Sequence, residues 1–148
     1  MHEPVPQGEP QFLCRSDELP ERGRGVLFDV LLWRQSVRAF ALRIDGRAVA
    51  YINRCAHVPT ELDWNAGEFL DSERRDIVCS VHGATYSATS GHCLGGPCGR
   101  GRLMPVAVSE ANGEVSWYPS RDIAPVVFDD EAAPAAGEPR LQEGNSEP

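Results

Sequence analysis

Lysine is absent from this 148-residue chain, and all 14 basic residues are arginine. That absence alone carries no functional signal. The lack of a basic stripe does, because phosphate binding needs clustered cations, so a general nucleic-acid role is excluded. The formal net charge of −8 is concentrated at the ends. Between Phe12 and Phe128 there are 14 acids against 13 arginines. No apolar run is long enough to span a bilayer: the longest, Val26 to Trp33, is short and contains Asp29. Met1-His2-Glu3-Pro4-Val5-Pro6 has neither the basic nor the apolar part of an export signal, so the expectation is a cytoplasmic protein without membrane attachment. The 5 cysteines are an odd number, which argues against a pure disulfide framework. No internal repeat and no amphipathic helix is visible.

With 14 Gly, 12 Pro and 41% hydrophobic residues, the composition suits one globular domain rich in turns. Residues 1–11 read as a flexible lead, 12–128 as the domain, and 129–148, dominated by Ala, Pro, Gly and Glu, as a disordered acidic tail. Within the domain, Phe12–Arg15 is a strand candidate. Ser16–Pro20 reads as a turn, with Ser16 as its cap. Arg22–Gly25 is loop and Val26–Trp33 a second strand. Val37–Ile44 and Arg47–Ile52 flank Asp45-Gly46, a strong hairpin signal because this turn needs positive φ values. Residues 58–76 form a long polar connection. Ile77-Val78, Ala84–Ala88, Leu103–Val108 and Val115–Tyr118 complete the strands, the last following a second hairpin turn at Asn112-Gly113. The pattern is all-β and antiparallel.

The hairpin delivers the chain into Cys55-Ala56-His57, answered by Cys79-Ser80-Val81-His82. Two cysteines and two histidines, split evenly between two short motifs, are the ligand set of a [2Fe–2S] centre in which imidazoles replace two thiolates on one iron. Cys₂His₂ also suits tetrahedral zinc, but Cys-x-His is a poor fit to the usual spacing of like residues. Downstream, Ser90-Gly91-His92-Cys93-Leu94-Gly95-Gly96-Pro97 looks like a Gly-Pro "proline loop". On these residues the chain resembles the Rieske family, closest to the small Rieske-type ferredoxins, over about Phe12 to Tyr118. The resemblance implies an antiparallel Rieske-type β-sandwich with a small cluster-binding subdomain of two ligand loops plus the proline loop. It also implies that Cys55 and Cys79 bind an inner iron, and His57 and His82 an outer iron near the surface. Two Fe³⁺, two S²⁻ and two thiolates sum to zero charge, so adding one electron is easier than at an all-cysteine centre.

In the high-potential respiratory members a Ser and a Tyr after the second His donate hydrogen bonds to sulfur. The matching positions here are Ala84 and Tyr86, so one donor is retained and a lower potential than theirs is expected. Where those members carry an inter-loop disulfide, this chain has Thr60 and Val81. The gap between the motifs is longer than usual, with the extra length inside 58–76. Trp64 and Phe69 either shape a docking patch or pack this insertion onto the domain. Cys93 and Cys98 flank the Gly95-Gly96-Pro97 turn. They are candidates for a local disulfide or for tuning or protecting the cluster, or they are small buried apolar groups. Cys14 reads as a buried strand residue, His92 as a turn residue, and Arg100 and Arg102 as surface charges or steering groups for an acidic partner.

The expected function is one-electron transfer, from a flavin-dependent reductase to an oxygenase or another acceptor, by a protein that is a monomer and has no catalytic residues of its own. Apart from the two ligand histidines only His2 and His92 exist, so there is no second His/His/carboxylate iron site of the kind Rieske-type oxygenases use. The alternatives are a small Rieske subunit of a multi-subunit oxidoreductase and a redox or iron sensor using the cluster and the Cys93/Cys98 pair.

Overall fold

A computed structural model of the chain describes residues 6–56, 60–63, 65–79 and 83–126. Among these there is no α-helix, and every pairing between named strands is antiparallel. The strands are β1 (Gln11–Arg15), β2 (Val26–Leu32), β3 (Gln35–Ile44), β4 (Arg47–Ile52), β5 (Asp76–Val78), β6 (Thr85–Ser87), β7 (Cys93–Gly95), β8 (Val108–Ala111), β9 (Glu114–Trp117) and β10 (Ile123–Ala124). They form three sheets in the orders β10-β2-β3-β4, β1-β9-β8 and β5-β6-β7.

Two hairpins follow directly from local chemistry. Asp45-Gly46 joins β3 to β4 with φ values of 54° and 81°, and Asn112-Gly113 joins β8 to β9 with 56° and 78°. These are the short polar and glycine residues that tolerate left-handed backbone. A third hairpin corrects the sequence reading. Trp33 is not the end of a strand; with Arg34 it forms the turn between β2 and β3, at φ values of 49° and 72°. Neither residue favours that conformation. It is held from elsewhere: the Trp33 backbone N–H donates to the Asp122 carbonyl at 3.1 Å and its indole Nε1 to Asp122 Oδ1 at 2.9 Å.

Strand β3 is the shared wall of two cores. Phe40, Leu42 and Ile44 face one cluster with Tyr51, Leu62, Phe69, Ile77 and Tyr86. Ala39 and Ala41 face the other, with Val30, Ile52, Val115 and Trp117. Burial on both faces explains why the Val37–Ile44 run alternates only in part.

Two further expectations are revised. Leu103–Val108 is not a regular strand. It runs beside β4 through Ile52 N–H to Met104 O and Val106 N–H to Ala50 O, both 2.9 Å, but Pro105 has no N–H to continue the ladder. Ser16 does not cap its turn: Ser16–Glu18 is a short 3₁₀ turn, and the Glu18 carboxylate accepts from the Arg15 N–H at 2.7 Å. At this corner Arg43 donates to both Glu110 oxygens, at 3.0 and 2.7 Å, and to the Leu19 carbonyl at 2.8 Å. It thereby ties the 3₁₀ turn, β3 and β8 together.

Candidate metal centre

The chain leaves β4 at Ile52 and makes the whole candidate site before returning at Met104. Asn53 marks the exit. It is the one polar side chain among the buried residues described, at 4% exposure. Its Oδ1 accepts from the Leu62 N–H at 2.8 Å and its Nδ2 donates to Asp63 Oδ1 at 3.1 Å. A buried amide with both ends satisfied fixes where the next two residues go. The sequence reading passed over Asn53; its signal was a lone polar residue between a strand end and a cysteine.

Cys55 follows, buried, its backbone N–H bonded to the Thr60 carbonyl at 2.8 Å. Cys79 lies at the end of β5, fully buried, its N–H bonded to the Ala84 carbonyl at 2.8 Å. Each cysteine thus bonds through its N–H to the carbonyl five residues on, and the Cys79 carbonyl also accepts from the Gly83 N–H at 2.9 Å. His57 and His82, and also Ser80, Val81 and Trp64, lie outside the described residues. Among the described residues no group of three or more Cys, His, Asp or Glu side chains converges on one point. The thiols are thus the described half of the expected ligand set.

Tyr86, on β6 just after the second loop and fully buried, reaches the first. Its hydroxyl accepts from the Ala56 N–H at 3.0 Å and lies 3.2 Å from Cys55 Sγ. Burial, and then the bond to Cys55, push the Tyr86 hydroxyl well above the usual phenol range, with charge on Cys55 and Cys79 adding to the rise. A phenol that keeps its proton can donate it, and a metal-bound thiolate can only accept.

The third loop covers the other two. Gly96 has φ 88°, and a Cβ there would sit 3.0 Å from Ala84 Cα and from the Gly83 carbonyl oxygen. A Cβ at Gly101 would sit 2.8 Å from Ala56 Cβ. The segment from Gly96 to Gly101 therefore rests on both cysteine loops, at distances that favour glycine. Pro97 is exposed, as is Leu94, at 58%. Cys93 and Cys98 are joined in a disulfide with Cα atoms 5.8 Å apart, so of the readings left open for this pair the local disulfide holds. The buried thiols, the fixed phenol donor and the close-fitting glycines suit an iron–sulfur centre in which sulfur ligands sit inward.

The remaining candidates have structural places. Phe69 stacks on Phe40 with ring centroids 3.8 Å apart and is buried, so it packs the connection ahead of β5 onto the domain and is no part of a docking patch. Arg102 is half-buried and donates from Nε to the Ser90 carbonyl at 2.9 Å, unlike the exposed Arg100. His92 is exposed and bridges to Arg102 through its backbone. Cys14 is buried in β1; burial foremost, then the charge of Glu18, pushes its thiol up to about 11.

A family model of the Rieske [2Fe–2S] domain matches residues 9–119. The chain belongs to this family. Membership implies a Rieske-type [2Fe–2S] cluster as cofactor. No curated protein sequence matches the chain. Among solved Rieske structures, it is similar to the ferredoxin of carbazole 1,9a-dioxygenase from Nocardioides aromaticivorans IC177. The two are 20% identical with a TM-score of 0.60 over 76% of this chain and 100% of that one, a likeness of fold. It is also similar to a chain in a carbazole-bound oxygenase and ferredoxin complex of carbazole 1,9a-dioxygenase, at 25% identity and TM-score 0.57, covering 76% of this chain and 29% of that one. A third match, the reduced complex between oxygenase and ferredoxin, gives 26% and 0.54 over 74% and 27%. This chain thus spans less than a third of those two chains. No helix among the described residues is long and apolar enough to cross a membrane.

Proposed function

We propose that this Rieske protein is a one-electron carrier whose cluster is held by Cys55 and Cys79 on the inner iron and by His57 and His82 on the outer one. The observation that carries the reading is the burial of Cys55 and Cys79 in one cluster with Tyr86, whose hydroxyl lies 3.2 Å from Cys55 Sγ, beside glycines that fit against Ala84 and Ala56. A cluster bound there supplies a site that takes up and gives back a single electron. The chain's own residues hold it inward, keep water from its sulfur side and aim one hydroxyl at Cys55. The protein would serve other enzymes in this role.

The acceptor is an oxygenase or a protein of similar role; the oxygenase–ferredoxin complexes among the structural matches support it. The donor is a flavin-dependent reductase, and the carrier works as a monomer in the cytoplasm. With Tyr86 kept and Ala84 in place of a hydroxyl donor, its potential lies below that of the respiratory Rieske proteins.

Electron paramagnetic resonance of the dithionite-reduced protein, with iron and sulfide analysis, is the direct test. We expect two irons per chain and an average g well below that of all-cysteine clusters. Cys55→Ser and Cys79→Ser each remove the signal. A folded, colourless, iron-free protein after anaerobic purification overturns the reading, as does zinc in place of iron.

A further inference from the structure

Three loops meet at the metal end, each closed between residues five apart. The Cys55 N–H bonds to the Thr60 carbonyl; the Cys79 N–H bonds to the Ala84 carbonyl, and the Gly83 N–H returns to the Cys79 carbonyl. The 93–101 segment, whose Gly-Pro turn is closed by the Cys93–Cys98 disulfide, touches both of the others, through Gly96 on Gly83-Ala84 and Gly101 on Ala56. Its strand is the neighbour of β6, where Tyr86 pairs with Cys93. The covalent closure thus lies one strand from the phenol that approaches Cys55.

We propose that Cys93–Cys98 is a redox-active clamp, opened by a protein dithiol, that positions the Gly-Pro loop over both cysteine loops. Three features carry this. Cys98 is 8% exposed, but Cys93 is half-buried and Leu94, Gly95, Gly96 and Pro97 around it are exposed, so an incoming thiolate has one accessible sulfur. The ring closed is short, and short rings constrain the chain least, so little fold stability opposes opening. Exposed disulfides of this kind exchange more readily than buried structural ones. The chemistry balances. A thiolate of the dithiol attacks Cys93 Sγ, the Cys93–Cys98 bond breaks, and Cys98 leaves as a thiolate and takes up a proton. The second thiol of the partner then attacks the mixed disulfide and releases Cys93. Two electrons and two protons pass to this chain, and the partner leaves as its own disulfide.

Once opened, the segment is held by the pairing of β7 with β6, by the Cys93 N–H to Gly101 O bond at 3.0 Å and by the Gly101 N–H to Cys98 O bond at 2.8 Å. Gly96 is then free to lift from Ala84, and Gly101 moves off Ala56 as those backbone bonds loosen. Cys93 and Cys98 act through the loop, so they are positioning residues. The effect on the cluster rests on the carrier reading above; the response of the loop itself does not.

The test uses the iron-loaded protein, equilibrated with graded ratios of reduced and oxidised dithiothreitol, alkylated with iodoacetamide and analysed by peptide mass. Amide exchange at Cys93 and Gly101, bleaching of the visible band by an iron chelator, and the midpoint potential are read on the same samples. We expect alkylation of Cys93 and Cys98 after reduction only. Amide exchange and chelator bleaching then rise about tenfold and the midpoint moves. Cys93→Ser/Cys98→Ser reproduces all three changes without dithiol and shows no further response to it. If that variant does not fold, the dithiol-treated native protein decides alone. Full alkylation with exchange, bleaching and midpoint unchanged overturns the proposal. So does alkylation before any reductant is added, or a disulfide that dithiothreitol does not open. A missing visible band refutes the carrier reading instead, and leaves the alkylation and exchange results interpretable.

Discussion

Replacing Tyr86 with Phe removes one oxygen from a fully buried side chain and leaves the ring in place. That oxygen lies 3.0 Å from the Ala56 N–H and 3.2 Å from Cys55 Sγ. A hydrogen bond to a charged acceptor contributes about 1.5–3 kcal/mol net, and sulfur is the weaker acceptor. The reduced centre carries one more negative charge than the oxidised one, so the bond is stronger in the reduced form, and we take that difference as about 1 kcal/mol. For a one-electron couple a tenfold change in equilibrium is about 59 mV, so the midpoint should fall by about 40 mV. Loss of the acceptor for the Ala56 N–H should lower stability by about 1 kcal/mol as well. The assay is a redox titration of holo Tyr86→Phe against the native protein, followed by electron paramagnetic resonance, with iron content measured on the same samples. An intact cluster whose midpoint stays within about 10 mV of the native value refutes the donor role argued from these distances.

Three further outcomes are expected. Phe69→Ala removes a buried ring stacked at 3.8 Å on Phe40 and should cost about 3–5 kcal/mol in urea unfolding; a loss below about 1 kcal/mol means the connection ahead of β5 is not packed as described. The Arg43 guanidinium, and behind it Ser16, hold the Glu110 carboxyl below its usual value. Its stabilisation is therefore present above the unfolded carboxylate range and is lost as pH falls through the folded pKa. Glu110→Gln should cost on the order of 1 kcal/mol at pH 7, since the pair is partly exposed, and should converge with the native protein below about pH 4. Cys14, with its thiol raised to about 11, should resist iodoacetamide at pH 8 in the folded protein and react on unfolding.

What could be read from the sequence was what local chemistry decides. Asp45-Gly46 and Asn112-Gly113 announce their turns because their backbones tolerate positive φ. Trp33-Arg34 makes a similar turn without such residues, because Asp122, 89 residues further along, holds the indole. Leu103–Val108 has the composition of a strand, and Pro105 alone interrupts its ladder. Strand β10 is two residues long and exists only through its pairing with β2, so nothing in its own composition marks it. At the site, Cys55, Cys79 and Tyr86 were visible as a pattern, and the structure brings all three together. The Cys93–Cys98 bond was visible only as one option, because pairing depends on how the loop turns. Asn53 and Gly101 were missed because each acts through a contact distant in sequence.

The chain departs from the larger sheet at Ile52 and rejoins it at Met104, and those two residues are bonded to each other at 2.9 Å. Everything needed to house the cluster is therefore a single excursion with touching ends, built on a platform that closes without it. Such a cassette can lengthen, shorten or exchange its tips while the platform keeps its register.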